Sequence, residues 1–302
     1  MSGAPMITSN FDQTCINIDK RVRVNVASAV TLWPTEWSYL AEKEKGTYRT
    51  EKSMGYEGPG ATPIVTEGGD PILQLLREGY KESATHDTYM VGMSISYEMQ
   101  IFAEANSRFL KLISDYQSRG LMLARENKVA DLINDGFSVK TTGDGAYVFS
   151  ASHVYKDGTT YSSLLTAADL DKASLEVGLI ATQEQVGEAS IQRVLKATQI
   201  NIGTTNVFVL PGLLKSNLDP ETSNNTYNVF QDWGLKKMVS HYYADRDQWV
   251  IDTDVSTRTL YVARGVEMWS KMKDNQTLAL YCASVLAAGV ENPYASFGNA
   301  GA

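Results

Sequence analysis

His153 stands directly ahead of a stretch that could do acid–base chemistry, "VYKDGTTYSSLLTAADLDKASLEVGL" (154–179). That stretch carries Lys156, Ser162, Ser163 and the carboxylates of Asp157, Asp169, Asp171 and Glu176. A serine hydroxyl activated by a histidine, itself oriented by a carboxylate, is the core of hydrolytic chemistry. A soluble hydrolase using the Ser, His and Asp residues near 150–169 is therefore one reading. Metal chemistry has less to work with. His86, His153 and His241 are the only histidines, and no two of them fall at ligand spacing.

Three glycine motifs each lack the residue their chemistry needs. "GMSIS" (92–96) resembles a nucleophile elbow, but Ser96 occupies the place of its second glycine. "GYEGPGAT" (55–62) has phosphate-loop glycine spacing, with Ala61 where a phosphate-neutralising lysine belongs. "GDGAYV" (143–148) starts like a dinucleotide fingerprint and lacks its last glycine. No catalytic, cofactor-binding or metal-ligating residue is assigned from these patterns. A turn at Asp157-Gly158 followed by a helix is the simpler account of 154–179.

The elements around that stretch describe a scaffold. With 302 residues, 43% apolar and 21% charged, the chain can bury a large core in one large or two smaller domains. A net charge of −8 gives no overall electrostatic footprint for gripping phosphate backbones. Cys15 and Cys282 lie at opposite ends of the sequence, which is neither a disulfide framework nor a zinc pattern. The N-terminal residues lack a signal-peptide pattern. The longest apolar run, "LALYCASVLAAGV" (278–290), is far short of the roughly 20 residues that cross a bilayer. A cytoplasmic chain without a membrane role is expected.

Along the chain, "RVRVNVASAVTLW" (21–33) alternates Val22, Val24 and Val26 with polar residues and predicts a half-buried strand or extended arm. From Pro34 to Pro71 the sequence is rich in Gly, Pro, Thr and charge, with Trp37, Tyr39, Tyr48 and Tyr56 interspersed. That composition predicts an extended β-hairpin packing against a neighbour. Residues 88–96 alternate as a strand and lead into a helix over 96–135 with Ser96 as N-cap and Glu98 at its positive end. Met99, Phe102, Leu110, Ile113, Tyr116, Gln117, Leu121 and Ala124 form its buried face, and Asp135-Gly136 stops it. Such a helix would be about 57 Å long. Its charges alternate in sign, Glu104 with Arg108 and Asp115 with Arg119 at i,i+4 spacing.

Further on, 139–152 predicts a turn and a strand, Thr166 a helix cap, and "TTNVFVL" (204–210) a buried strand ended by Pro211-Gly212. "LKKMVSHYY" and "QWVIDTD" predict a hairpin across 244–247, and "TLYVARGVEMW" a strand. The elements mix as α+β. With no convergent catalytic group near them, Trp33, Trp37, Tyr39, Tyr48 and Tyr56 are assigned as inter-subunit contacts, since Trp and Tyr dominate interface hot spots.

A resemblance accounts for the arm, the projecting loop and the long helix together. "SHVYKDGTTYSSLLTAADLDKASLEVGLIATQEQ" (152–185), "NVFVLPGLLKSNLDP" (206–220) and "GLKKMVSHYYADRDQWVIDTD" (234–254) resemble, in order and pattern, segments of Mu-type phage major head subunits. The resemblance covers roughly residues 90 to 254. Val154 stands where that family has Pro after His, and the last 45 residues match loosely. The resemblance implies the tailed-phage capsid fold of the Hong Kong 97 type. Its parts would be an N-terminal arm (1–33), an E-loop region (34–87), a P-domain (88–145 and 251–302) with spine helix 96–135, and an A-domain (146–250). It further implies a structural major capsid protein, without enzymatic activity or cofactor, that self-assembles as hexamers and pentamers. The icosahedral shell would enclose packaged double-stranded DNA without sequence-specific binding, assembled in the bacterial host cytoplasm. A decoration or scaffolding protein would be its further partner. The acidity then implies an inner wall that does not hold DNA. An encapsulin-like compartment shares the fold and is the alternative.

Overall fold

The computed structural model describes residues 8–32, 35–57, 64, 65, 67, 70, 77–103, 107–216, 227–255 and 257–302. The chain opens with helix α1 (Thr8–Leu32), where the valine alternation predicts a strand. Ile18, Val22 and Val26 are at most 1% exposed, while Val24 is 66% exposed. Val22 and Val26 satisfy a two-residue and a four-residue period alike. Ile18 lies a further four residues back, and burial of that stripe on a second helix decides for the helix.

Next come the short helix α2 (Trp37–Leu40), β1 (Glu42–Lys45), the strands β2 (Thr50–Glu57) and β3 (Arg77–Thr85), and β4 (Asp87–Ile95). Helices α3 (Tyr97–Ala103) and α4 (Ser107–Asn134) follow within the span 96–135 expected to be helical, and residues 104–106 between them lie outside the described residues. Glu104 lies outside the described residues. Ser96 does cap the start, its Oγ accepting the Met99 N–H at 3.3 Å. Helix α4 stops at Asp135-Gly136 as the sequence predicts, and its 28 residues span about 42 Å. Its buried face uses Leu110, Ile113, Gln117 and Leu121, whereas Met99 and Tyr116 are exposed.

The second half contains β5 (His153–Val154), β6 (Thr160–Tyr161), α5 (Lys172–Gln183), β7 (Ala197–Ile202), α6 (Val209–Lys215), β8 (Lys236–Val239), β9 (Trp249–Thr253), β10 (Arg258–Met272), β11 (Leu278–Val290) and β12 (Ser296–Asn299). Two four-stranded sheets result, β1–β10–β11–β4 and β12–β9–β7–β8. Strand β11 is central in the first sheet and buried along nearly its whole length. That explains why the longest apolar run is continuous rather than alternating. Gln117 of α4 donates to the Leu280 carbonyl of β11 at 2.9 Å, tying the long helix to that sheet. The second sheet has its own core, built from Leu175 and Leu179 of α5, Ile200 and Ile202 of β7, and Trp249 and Ile251 of β9.

Four local expectations differ from the structure. Residues 139–152 form turns without a strand, joined by a single bridge between Thr141 and Tyr147. Helix α5 is capped by Asp171, not Thr166: Asp171 accepts the Ser174 N–H at 2.7 Å and Ser174 Oγ accepts the Asp171 N–H at 2.9 Å. A carboxylate at that position also suits the positive helix end. Residues 204–210 fold as a 3-10 turn and the start of α6 rather than a strand. Pro211 is tolerated there because the first helical turn has no use for its missing N–H. Finally, β8 and β9 do not pair with each other. Strand β7 lies between them, parallel to β8 and antiparallel to β9.

Gly203, at the end of β7, marks the tightest backbone approach in this sheet. A Cβ there would lie 2.1 Å from the Arg246 carbonyl oxygen, a backbone atom that cannot swing aside. Gly203→Ala is expected to cost about 3 kcal/mol, at the upper end of overpacking effects. A fall in the thermal midpoint of the variant checks this; an unchanged midpoint contradicts it.

Candidate functional site

Strands β2 and β3 form an antiparallel two-stranded sheet joined to neither large sheet, paired from Thr50 opposite Thr85 to Glu57 opposite Arg77 with a register shift between Met54 and Tyr56. At its root Ala84 is buried against Tyr261 and Ala287. Beyond that point the side chains described in both strands are half-buried or exposed, except at Gly79, which is buried. A two-stranded hairpin on its own is marginal in water, so this one requires either its root or a neighbour to hold it. The root is fixed to the body by Glu82, which accepts the Gly143 N–H at 2.5 Å. Gly143 has no room for a side chain, since a Cβ would lie 2.6 Å from the Lys81 carbonyl oxygen.

The aromatic residues assigned as contacts fall in different places. Helix α2 is held by Glu126 of α4, whose carboxylate accepts the backbone N–H groups of Glu36 and Trp37. Burial pushes the Glu126 carboxyl up. Trp37 is half-buried against the core cluster that contains Leu40, Val129, Ile133 and Leu260, with the Arg125 guanidinium 5.7 Å from its ring centroid. Tyr39 and Tyr48 are 55% and 71% exposed. Trp33 lies outside the described residues, and of Tyr56 the structure describes the backbone, opposite Glu78. Among the described side chains, Trp37 is turned to the core while Tyr39 and Tyr48 are open to solvent.

Further exposed apolar side chains surround the second sheet. Phe208 and Val194 are each 90% exposed, Val229 is 62% exposed, and Val177 and Ile180 project three residues apart from α5. Sequence reasoning missed Phe208 because it placed 204–210 in a buried strand. The available signal was Pro211-Gly212, which suits a helix start as well as a strand end.

Of the candidate acid–base residues His153 and Ser163 meet, and the carboxylate beside them is Asp144, outside the 150–169 stretch and not singled out as a candidate. His153 Nδ1 donates to Asp144 at 2.8 Å, and Nε2 lies 2.9 Å from Ser163 Oγ. This is the connectivity of a hydrolytic triad without its accessibility. Ser163 and His153 are fully buried, and Ser163 Oγ donates to the Val148 carbonyl at 2.8 Å while accepting the Ser150 N–H at 3.0 Å. Tyr161 stacks on the imidazole at 4.7 Å. The three side chains fasten the 142–150 turns to the β5–β6 hairpin. Beside them is a cleft of about 130 Å³ lined by Tyr80, Tyr155, Tyr161 and Tyr294. Arg193 sits 4.0 Å from the Tyr294 ring centroid and pairs with Glu188. Ser163 does not line that cleft.

Burial pushes the Asp144 carboxyl up, but hydrogen bonds from His153 and Thr142 outweigh it and hold the group well below the usual carboxylate range. A carboxyl lowered on folding contributes stability that is present above its unfolded value, near pH 4, and is lost as pH falls toward the folded value. Asp144→Asn is expected to be less stable at pH 7 by about 1–3 kcal/mol. It should also lose less stability than the native chain between pH 5 and pH 3, as followed by denaturant midpoints. Parallel acid profiles would show that Asp144 does not carry this dependence.

Among the described residues no group of three His, Cys, Asp or Glu is placed to hold a metal ion. No described helix is long and apolar enough to cross a membrane. No known family's sequence pattern matches the chain, and no curated protein matches it. Solved structures do. The capsid of cyanophage P-SCSP1u superposes with a TM-score of 0.60 at 10% identity, covering 89% of this chain and 88% of that one. The chain has the tailed-phage capsid fold. A structure from Mycobacterium phage Che8 matches with a TM-score of 0.56 at 13% identity, covering 88% and 91% of the two chains. A virus-like particle from Pyrococcus furiosus matches with a TM-score of 0.54 at 9% identity, covering 93% and 98%. The capsid fold thus extends over nearly the whole chain, carried by architecture at identities that leave little common sequence.

Proposed function

We propose that this chain is a structural major capsid protein that self-assembles as hexamers and pentamers into an icosahedral shell around packaged double-stranded DNA. The observation that carries the proposal is the β2–β3 hairpin, a two-stranded sheet joined to neither large sheet, in a chain with the capsid fold. In this reading residues 1–33 are the arm, 34–87 the E-loop region, 88–145 and 251–302 the P-domain with α4 as its spine, and 146–250 the A-domain. The hairpin lies across an adjacent subunit, and heterologous contacts that close by symmetry build the shell. Exposed Tyr39, Tyr48 and Phe208 belong to those contacts. The chain acts without catalysis: the sealed Ser163 hydroxyl supports an architectural role for the Asp144–His153–Ser163 chain. The nearer Mu-type relationship rests on the sequence pattern of 152–185, 206–220 and 234–254. Assembly takes place in the bacterial host cytoplasm and ends in the virion.

Negative-stain electron microscopy of the purified protein, with light scattering, tests this reading. Closed polyhedral shells, or capsomers of six and five subunits, are expected; a monomer or small dimer at high concentration overturns it. The likeness to the Pyrococcus virus-like particle favours a second reading, an encapsulin-like compartment. The contents of shells isolated from their native source separate the two. Nuclease-protected DNA supports the phage capsid, and a protein cargo the compartment.

A further inference from the structure

Four separate parts of the chain meet around the cleft of about 130 Å³ beside the Asp144–His153–Ser163 chain. Tyr80 comes from β3, Tyr155 and Tyr161 from the β5–β6 hairpin, Glu188 and Arg193 from the segment after α5, and Glu291 and Tyr294 from the turn after β11. Its aromatic walls are fixed before anything binds. Tyr161 stacks on His153, Tyr155 donates to the Val186 carbonyl at 3.3 Å, and Arg193 lies on the Tyr294 ring. Glu82, Asp144, Glu188 and Glu291 line the same space, against one guanidinium among the described lining residues. One polar group there lacks a partner. Tyr161 is 8% exposed and lines the cleft, and its hydroxyl makes no hydrogen bond to any described residue. A buried phenol ordinarily finds one. Burial pushes the Glu82 carboxyl up, so a positive group brought beside it favours its charged form. An ammonium already rests near these walls, with Lys156 Nζ 5.6 Å from the Tyr80 ring centroid.

We infer that this cleft binds a primary alkylammonium group, the chemistry shared by a free polyamine and a lysine side chain. Aromatic faces attract a cation through their quadrupole, and carboxylates accept its N–H groups in charge-assisted bonds. An ammonium has three donors and no acceptor, which suits a lining rich in acceptors and leaves one donor for the Tyr161 oxygen. The size agrees. A cavity of about 150 Å³ holds benzene, so one of about 130 Å³ takes five or six heavy atoms, an ammonium with a four-carbon stem. A guanidinium ligand is less suited, because Arg193 already occupies the stacking place on Tyr294. The site belongs to the folded subunit and goes beyond the capsid reading without depending on it.

Isothermal titration calorimetry of the purified full-length protein with pentylamine and with pentanol tests the inference. The amine is expected to bind at least about tenfold more tightly than the alcohol of equal length. Tyr161→Phe keeps the stacked ring and should weaken amine binding about two- to tenfold, the effect of one hydrogen bond. Its thermal midpoint should be no lower than that of the native chain, since the lost hydroxyl has no partner among the described residues. Glu82→Gln keeps an acceptor for the Gly143 N–H while removing the charge, and should weaken amine binding about fivefold. Cadaverine and Nα-acetyl-lysine then separate the two sources. Tighter binding of cadaverine assigns the cleft to a free polyamine, and equal binding assigns it to a lysine side chain of another molecule. Equal affinity for pentylamine and pentanol, no amine binding at about 10 mM, or native affinity in Tyr161→Phe overturns the inference. A lowered midpoint in Tyr161→Phe overturns it as well, because the hydroxyl then holds the fold. Failure here is distinct from failure of the capsid reading, because shell formation is scored by microscopy on the same preparation.

Discussion

Asp252→Ala is expected to lower stability by about 3–5 kcal/mol, the cost of leaving a buried charge without its partner. Asp252 and Arg258 are 6% and 3% exposed and form an ion pair. The pair bridges the two sheets, Asp252 belonging to β9 and Arg258 opening β10. Asp252 also accepts hydrogen bonds from Asn201, from Gln199 at 3.1 Å and from the Ser296 hydroxyl at 2.7 Å. Arg258 in turn donates to the Leu40 carbonyl at 2.8 Å and to Ser296 Oγ at 3.1 Å. Truncating the aspartate removes the acceptor at the centre of this network and strands the guanidinium. Domains of ordinary stability, about 5–15 kcal/mol, lose much of their margin to such a change. Asp252→Ala combined with Arg258→Met should recover a large part of the loss, because an apolar replacement of the whole pair leaves no buried charge. Denaturant midpoints of the single and double variants decide the matter. A single variant within about 1 kcal/mol of the native chain would show that the pair does not bolt the sheets together.

What the sequence reveals here depends on how local its cause is. The alternation of β4, the Ser96 cap, the Asp157-Gly158 turn and the long strand β10 each follow from neighbours a few residues away. Gly158, at φ +89, takes the backbone conformation that the turn requires. Helix α1 is less legible because its stripe becomes decisive only when Leu110 and Ile113 are brought against it. The β8–β9 hairpin is a natural reading of two strands joined by a polar turn. Its refutation lies in β7, a strand that sequence reasoning did not single out and that inserts between them. The Asp144–His153–Ser163 chain shows the same limit. The residue types are visible at separations of nine and ten positions, but their burial, which removes the chemistry, depends on Tyr161 and the surrounding turns. The β2–β3 hairpin was legible in part: the polar stretch 34–71 holds β2, while β3 lies beyond it at Arg77–Thr85.

If the chain assembles as proposed, Phe208→Asp is expected to raise the subunit concentration at which shells appear by about tenfold to a hundredfold while leaving the isolated subunit's thermal midpoint unchanged. Burying a phenylalanine side chain is worth about 1.5–3 kcal/mol, and each 1.4 kcal/mol is tenfold in an association constant. Phe208 is 90% exposed just ahead of α6, so it contributes almost none of this to the isolated subunit. In a shell the same contact recurs in every subunit. An aspartate adds a desolvation penalty to the lost burial. The effect on the folded subunit stays small because Leu210 and Leu213, which hold α6 to the core, are untouched. Light scattering against subunit concentration reads the onset of assembly, and circular dichroism reads the fold. An unchanged onset would remove Phe208 from the contact surface and leave the exposed tyrosines of the α2–β2 region, Tyr39 and Tyr48, as the next to test. A lowered midpoint would instead mean that Phe208 supports the subunit itself, which its exposure argues against.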